Sequence, residues 1–237
     1  MFLEVTEILR CPRAHDESFV VCVADAMDGR QVARGVIGCP VCRAEFAIVE
    51  GVVEFGSAAA GRTPEHRAAG PLTAAAAATF LALEGRGGYV LLAGSVVRLA
   101  RDLAALLPGV HLLCVNGPPD VPRENECSYL ASPDVLPLRI ATVRGVVLGG
   151  ECAAEPWLAE GVRVLLGGLR LVAEDERARL LPRVNAHVKL FRVLHRKLVL
   201  AHAHVLGSVH VLGGQLDDRR WHGRGEKHEL PVRRRLR

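Results

Sequence analysis

Cysteine and histidine residues near the N-terminus have the spacing of metal ligands. Cys39 and Cys42 form a C-x-x-C pair in the stretch CPVC, and two thiolates at that spacing can bind one zinc ion from a single turn. Cys11 and His15 lie upstream in the stretch CPRAH, with C-x3-H spacing. A structural zinc site is tetrahedral and needs four ligands. The predicted set is Cys11, His15, Cys39 and Cys42.

The fourth ligand is open to alternatives. Cys22, in the strand-like stretch FVVCV, competes with His15, and an incomplete site is a further alternative. In a reading without metal, Cys11 and Cys22 are buried small hydrophobic residues and His15 is a surface residue. A redox role for the C-x-x-C pair is disfavoured, because redox pairs open helices whereas this pair lies between strands.

The first 56 residues have the pattern of a small β-rich unit. Strands are predicted at Phe19–Ala24 and Gln31–Ile37, joined by a hairpin turn at Asp28-Gly29. This hairpin would bring the two pairs of metal ligands together. So small a unit, with few large apolar residues, is hard to stabilise without a metal. Residues 57–70, SAAAGRTPEHRAAG, have the composition of a linker.

Residues 71–182 alternate between apolar strands and amphipathic helices. Because the strands are apolar throughout, the pattern predicts an α/β fold with a parallel sheet covered on both faces. Strands are predicted at Tyr89–Ala93, Val110–Val115, Gly145–Leu148 and Leu169–Ala173, and helices at Leu72–Leu83, Val96–Leu107 and Pro156–Leu165. Residues between Val115 and Gly145 are predicted to form a loop.

Composition restricts the class of protein. Half of the 237 residues are hydrophobic, so the chain can bury a core, but it has no uncharged apolar run of about 18 residues that would span a membrane. The N-terminal stretch MFLEVTEILR lacks the basic-then-apolar order of a signal peptide. A cytoplasmic protein without a membrane segment is therefore expected. In such a protein, closely spaced cysteines favour metal binding over disulfides.

The C-terminal segment differs in charge from the rest of the chain. Residues 183–237 contain 13 Lys and Arg against 4 Asp and Glu, and 7 of the 10 histidines. Basic residues supply non-specific affinity for phosphates, so one interpretation is an RNA-binding arm. The alternatives are a solvated, partly disordered tail and the product of an out-of-frame stretch of a GC-rich gene. The histidines lack a ligand framework.

Residues 1–55 resemble a known family of small zinc ribbons. The stretches LEVTEILRCP and IGCPVCRAEFAIVEGVVEF are similar to those of activator subunits of tRNA and translation-factor methyltransferases and of their bacterial relatives. The matching positions are Phe46, Ile48, Glu50, Gly51 and Val52. The chain departs from the family at Ala14, where the second cysteine would stand. The resemblance implies a structural zinc and a protein or RNA partner.

The following segment resembles Rossmann-type S-adenosylmethionine (SAM) methyltransferases. Their order of strand, glycine turn, helix and strand is matched by GGYVLLAGSVVRLARDLAALLPGVHLLCVNGPPD, and their later Asp-x-Leu-Pro segment by SPDVLPLRIATVRGVVLGG. The resemblance implies a cofactor site at Gly94, Asn116, Asp134 and Leu136. Two departures indicate a degraded site: Asn116 replaces an acidic residue, and Val96 and Val97 follow the single glycine.

Together these patterns predict a SAM-dependent methyltransferase-like protein with a zinc ribbon and a degraded cofactor site. Its predicted organisation is a ribbon (1–56), a linker (57–70), a Rossmann-like domain (71–182) and a basic tail (183–237). The alternative is a non-catalytic adaptor, whose ribbon docks on another methyltransferase or RNA-modifying partner. No catalytic motif is identified, so the sequence leaves the choice between enzyme and adaptor open.

Overall fold

The computed structural model describes most of the first 174 residues and the backbone of four later strands. The described residues are 1–56, 72–133, 135–174, 189–194, 197–203, 209–217 and 220–225. The predicted linker at 57–70 therefore lies outside the described residues, as do Asp134 and residues 226–237 of the basic tail.

Within these ranges all strands join one sheet. In chain order they are β1 (Val21–Asp28), β2 (Gln31–Gly38), β3 (Glu45–Val49), β4 (Val52–Glu54), β5 (Tyr89–Gly94), β6 (His111–Val115), β7 (Cys127–Ala131), β8 (Val143–Gly149), β9 (Leu165–Glu174), β10 (Lys189–Leu194), β11 (Lys197–Ala203), β12 (Val209–Asp217) and β13 (Arg220–Gly225). β13 lies in a segment whose composition indicated disorder.

In the part of the chain that the structure describes, three α-helices and three short 3-10 helices accompany the sheet. The α-helices are α1 (Ala74–Leu81), α2 (Ala100–Leu106) and α3 (Trp157–Val164), and the 3-10 helices are Leu3–Ile8, Ser95–Leu99 and Gly150–Ala153. α1 begins where the hydroxyl of Thr73 accepts a hydrogen bond from the amide of Ala76, at 3.2 Å. No described helix has both the length and the apolar character needed to cross a bilayer.

The strand order combines a parallel centre with antiparallel ends. The order is β1-β2-β3-β4-β7-β6-β5-β8-β9-β10-β11-β12-β13, and all pairings from β4 through β10 are parallel. The predicted mixed α/β class with a mostly parallel sheet is confirmed. Within it, the five strands β7-β6-β5-β8-β9 follow the order 3-2-1-4-5, as in doubly wound sheets.

Two apolar layers cover opposite faces of the parallel strands. In β5, Leu91 and Ala93 belong to a buried cluster that includes residues of α3, whereas Val90 and Leu92 belong to a second cluster with α1 and α2. Successive strand residues point to opposite faces. A continuous apolar run such as β5 is therefore required at the centre of this sheet.

The N-terminal strands pair as hairpins and then join the main sheet. β1 and β2 form the predicted antiparallel hairpin. β3 and β4 are joined by Glu50 and Gly51, both with positive φ, as a two-residue hairpin turn requires. β4 then pairs in parallel with β7, from Val52 opposite Tyr129 to Glu54 opposite Ala131. The inner face of these strands belongs to the same buried cluster as α3.

The prediction of an unbroken loop between Val115 and Gly145 was wrong, because β7 lies within it. The strand is only five residues long, and Ser128 and Tyr129 interrupt its apolar character. Ser128 is nevertheless fully buried. Its burial is tolerated because its hydroxyl accepts a hydrogen bond from the amide of Phe2 at 3.0 Å and contacts His111 Nε2 at 2.9 Å. Long-range partners of this kind leave no mark in the local sequence.

Removal of the Ser128 hydroxyl should weaken the contact between the N-terminal residues and the sheet. We expect Ser128→Ala to lower the free energy of unfolding by about 1–3 kcal/mol, because the amide of Phe2 and His111 lose a partner. The half-buried Ser18 donates only to the carbonyl of its neighbour Phe19, so Ser18→Ala should change stability by less than about 0.5 kcal/mol. Urea denaturation of both variants measures the difference, and equal effects would contradict this role.

Candidate metal centre and candidate cofactor site

The four predicted metal ligands converge at one place. One ligand atom from each of Cys11, His15, Cys39 and Cys42 lies within 4.8 Å of all the others. Cys11 and His15 come from the segment that follows the first 3-10 helix, and the two other cysteines come from the turn between β2 and β3. The cluster therefore closes a loop between two separate parts of the N-terminal segment.

Two distances within the cluster fit the edges of a zinc tetrahedron. Cys11 Sγ and Cys42 Sγ are 3.6 Å apart, and Cys39 Sγ and His15 Nε2 are 3.4 Å apart. Ideal zinc–sulfur and zinc–nitrogen bonds at tetrahedral angles separate two sulfurs by about 3.8 Å and sulfur from nitrogen by about 3.6 Å. These two edges therefore suit zinc, and the whole set of ligand atoms lies within 4.8 Å.

Backbone hydrogen bonds shape the turn that carries the two later cysteines. The amide of Cys39 donates to the carbonyl of Ala44 at 2.8 Å, and the amide of Arg43 donates back to the carbonyl of Cys39 at 2.9 Å. Arg43 has a positive φ of 57°, which reverses the chain after Cys42. These bonds join the end of β2 to the start of β3, and they hold the turn between the two strands.

His15 is oriented by a second hydrogen bond from its ring. Its Nδ1 lies 2.6 Å from the carbonyl oxygen of Asp16, and because a carbonyl can only accept, Nδ1 carries the proton. That bond raises the pKa of the imidazole. It leaves the lone pair of Nε2 facing Cys39, which is how metal-ligating histidines are commonly oriented. The resembling zinc ribbons have a cysteine at the position of Ala14. His15 lies one residue further along, and its longer side chain reaches the cluster from there.

Cys22 is not part of the cluster. It lies on β1, half-buried, and packs against the core instead. Of the two candidates for the fourth ligand, His15 is the one that lies beside Cys11, Cys39 and Cys42.

The environment of the cluster affects its thiols in opposite directions. Burial raises the pKa of the Cys39 thiol, but backbone hydrogen bonds from Cys42 and Val41 outweigh that effect and lower it to about 7. Burial raises the pKa of Cys11 to about 12. The lowered pKa favours the thiolate form of Cys39, which is the form that binds a metal.

The donor set selects the kind of metal. Three thiolates and one imidazole suit zinc, whereas magnesium and calcium prefer oxygen ligands. With four protein ligands the tetrahedron is complete, and no position is left for water or substrate. The cluster could thus bind a metal such as zinc, in a site of the structural type.

The residues predicted to bind SAM have structural partners instead. Gly94 ends β5 with a φ of +77°, and a Cβ there would lie 2.2 Å from the carbonyl oxygen of Gly149 and 3.2 Å from Cys152 Sγ. The glycine is therefore required by the close approach of β5 to the end of β8. Cys152 occupies the space beside it and is buried.

The two valines after Gly94 fill the space at the carboxyl end of β5. Both are buried. A Cβ on Gly149 would lie 2.4 Å from Val96 Cγ1, and a Cβ on Gly117 would lie 2.7 Å from Val97 Cγ1. Gly149 and Gly117 thus leave the room that the two valine side chains occupy.

Both polar atoms of the Asn116 side chain form hydrogen bonds within the sheet. Its Nδ2 donates to the carbonyl of Ser132 at 2.7 Å, and its Oδ1 accepts from the amide of Ser132 at 2.9 Å. These paired bonds join the loop after β6 to the end of β7. The side chain that the resemblance assigned to a ribose therefore has both of its polar atoms occupied.

Leu136 is buried and fixed by α3. Its amide donates to Glu160 Oε2 at 2.9 Å, and its carbonyl accepts from Arg163 Nη2 at 2.8 Å. Asp134, the remaining predicted cofactor residue, lies outside the described residues. SAM binding by Gly94, Asn116, Asp134 and Leu136 stays a prediction. The contacts of Gly94, Asn116 and Leu136 do not support it.

A groove beside the metal cluster was not predicted from the sequence. It has a volume of about 470 Å³ and is lined by Pro12 and Arg13, which lie between two metal ligands, by Phe55 at the end of β4, and by Ser132 near the end of β7. Its walls come from segments that are distant in the chain. The groove depends on the pairing of β4 with β7, which no local pattern indicated.

Comparisons with protein-family models, with curated proteins and with solved structures find no match for this chain. The metal cluster and the contacts at the carboxyl ends of β5 and β6 are therefore what a functional proposal can use.

Purified protein should contain about one zinc ion per chain. Cys39→Ser should abolish that content, because it removes one of the three thiolate ligands. Cys22→Ser, the matched control outside the cluster, should leave it unchanged. Plasma mass spectrometry gives the metal content, and cobalt substitution gives the thiolate charge-transfer absorption of the site.

Loss of zinc in Cys22→Ser with retention in His15→Ala would contradict the assignment of the fourth ligand. Metal-free protein whose N-terminal strands remain folded, as judged by hydrogen exchange, would contradict the site altogether.

Proposed function

We propose that this chain is a zinc-stabilised, non-catalytic adaptor built on a methyltransferase-like sheet. The observation that carries the proposal is the filled space at the carboxyl ends of β5 and β6, where Val97 packs on Gly117 and Asn116 bonds Ser132. Ligands of doubly wound sheets bind at this edge of the strands. A chain that occupies it with its own side chains is suited to a scaffold rather than to cofactor chemistry.

The methyltransferase-like frame is supported by strand order and by motif placement. The five strands β7-β6-β5-β8-β9 have the order 3-2-1-4-5. Gly94 ends the first of them and Asn116 follows the second, which are the positions the sequence resemblance assigns to a SAM site. In this proposal the frame is that of a methyltransferase while the binding groups differ, and fold alone does not carry activity.

Zinc has a structural role in this proposal. Residues just before Cys11 pair with the loop that α3 holds: the amide of Arg10 donates to the carbonyl of Pro137 at 3.0 Å, and the amide of Arg139 donates to the carbonyl of Ile8 at 2.8 Å. When bound, zinc would fix this segment to the turn at Cys39 and Cys42. The metal thereby supports the junction between the N-terminal strands and the main sheet.

The partner in this proposal is another methyltransferase or an RNA-modifying protein, as the resemblance of residues 1–55 to activator subunits implies. The competing function is a SAM-dependent methyltransferase. The two functions differ in one measurable property, which is affinity for the cofactor.

Isothermal titration calorimetry distinguishes them. We expect no heat of binding when SAM or S-adenosylhomocysteine is titrated to millimolar concentration into zinc-loaded protein. The physical reason is that a cofactor would have to displace buried Val96 and Val97 and break both hydrogen bonds of Asn116. An active SAM methyltransferase in the same buffer serves as positive control.

Saturable binding at one cofactor per chain would overturn the adaptor proposal in favour of the enzyme. In that case Asn116→Asp should strengthen binding and Asn116→Ala should weaken it, since charge-assisted hydrogen bonds are roughly twice as strong as neutral ones.

A further inference from the structure

The three cysteines of the metal cluster differ in their access to solvent. Cys11 and Cys39 are buried, whereas Cys42 is exposed. Cys42 lies in the turn between β2 and β3, where its neighbours Val41 and Arg43 are exposed as well. A small solute that approaches the cluster from solvent therefore meets Cys42 before it meets either of the buried cysteines.

The exposed thiol is in contact with a buried thiol from a different segment. Cys42 Sγ lies 3.6 Å from Cys11 Sγ, while Cys39 Sγ lies 3.4 Å from His15 Nε2. Sequence spacing pairs Cys42 with Cys39 in the C-x-x-C stretch, and a redox role for that pair was disfavoured. The fold supplies Cys11 as a second thiol beside Cys42, which the spacing does not indicate.

We propose that Cys42 is a site of oxidation by hydrogen peroxide, and that Cys11 then forms a disulfide with it and releases the metal. Cysteines that respond to peroxide are accessible thiolates with a second thiol close by. A metal ligand is held as the thiolate. Exposure of Cys42 admits the peroxide, and the contact with Cys11 provides the second thiol.

The reaction has two displacement steps. The thiolate of Cys42 attacks one oxygen of hydrogen peroxide, so the O–O bond breaks, a sulfenic acid forms and a hydroxide ion leaves. The thiolate of Cys11 then attacks the sulfur of Cys42, so the S–O bond breaks, the S–S bond forms and a second hydroxide ion leaves. The two thiolates lose two electrons in total, and these reduce one peroxide to two hydroxide ions.

Formation of the disulfide removes half of the metal ligands. Zinc binds cysteine as the thiolate, so neither sulfur of a disulfide replaces the ligand that was lost. Only Cys39 and His15 remain of the set of four. Two ligands do not complete a tetrahedral structural site, and the ion is expected to pass to water or to another chelator.

The disulfide joins the same two parts of the chain that the metal joins. One end is the segment after the first 3-10 helix, and the other is the turn between β2 and β3. The two parts therefore stay tied after the metal leaves, which favours reversal. A dithiol reductant would become a disulfide itself as it returns Cys11 and Cys42 to thiols, and the site could then bind zinc again.

The cysteines outside the cluster are shielded from this reaction. Cys22 is half-buried, and Cys114, Cys127 and Cys152 are buried. Oxidation of the folded chain should therefore be selective for the metal cluster, and these four cysteines serve as internal controls.

This inference rests on zinc binding by the cluster and is independent of the proposed adaptor function. The result of the SAM titration does not bear on it, because the cofactor edge and the metal cluster share no residue.

Peroxide treatment of the full, zinc-loaded chain, followed by peptide mapping, tests the inference. A chromophoric chelator in the buffer should report about one zinc ion released per chain, together with the loss of two thiols. After alkylation of the remaining thiols, trypsin yields peptides 11–13 and 35–43. We expect these two peptides to be linked by a disulfide. A bond between Cys39 and Cys42 would instead lie within peptide 35–43, so the masses distinguish the two.

A variant with four ligands separates oxidation from simple loss of a ligand. Cys42→His keeps a zinc donor set of two thiolates and two imidazoles but removes the exposed thiol. Peroxide should release its zinc at least tenfold more slowly than from the unaltered chain. Cys22→Ser, the matched control outside the cluster, should release zinc at the unaltered rate.

The peptide map of the unaltered chain decides the matter even if Cys42→His does not hold zinc. A disulfide confined to peptide 35–43, or zinc that is released without any disulfide, would overturn the inference. So would zinc that is retained at a hundredfold excess of peroxide, release from zinc-loaded Cys42→His at the unaltered rate, or a chain that binds no zinc at all.

Discussion

The convergence of Cys11, His15, Cys39 and Cys42 is the constraint on which the N-terminal half depends. It ties the segment after the first 3-10 helix to the turn between β2 and β3. Leu9 forms a bridge with Leu138, next to the loop held by α3. Release of the four ligands would therefore loosen two regions together, since the junction with the main sheet continues directly from the metal ligands.

The metal centre and the carboxyl edge of the sheet differ in how their residues are used. At the metal centre, the reach of the His15 imidazole, with its bond to Asp16, completes a set of four donors. At the carboxyl edge, Gly94 is required because β5 and β8 approach too closely for a side chain, while Val97 fills the adjoining space. These contacts within the chain are the observations on which the adaptor proposal rests.

Local patterns predicted the elements whose causes are local. The apolar run of β5, the turn after Asp28 and the C-x3-H and C-x-x-C spacings all indicate their structures from neighbouring residues. β7 was missed because burial of Ser128 is permitted only by Phe2 and His111, which are distant in the chain. The paired bonds of Asn116 to Ser132 and the parallel pairing of β4 with β7 are non-local as well. The groove follows from these pairings, so it too could not be predicted from sequence patterns.

X-ray absorption spectroscopy of the zinc-loaded chain tests the central claim most directly, because it counts the ligands without altering them. The account predicts three sulfur scatterers at about 2.3 Å and one imidazole nitrogen at about 2.0 Å. Four sulfurs would place Cys22 in the site instead of His15. A water oxygen in place of a protein ligand would mean an open site, and would contradict the structural role assigned to this metal centre.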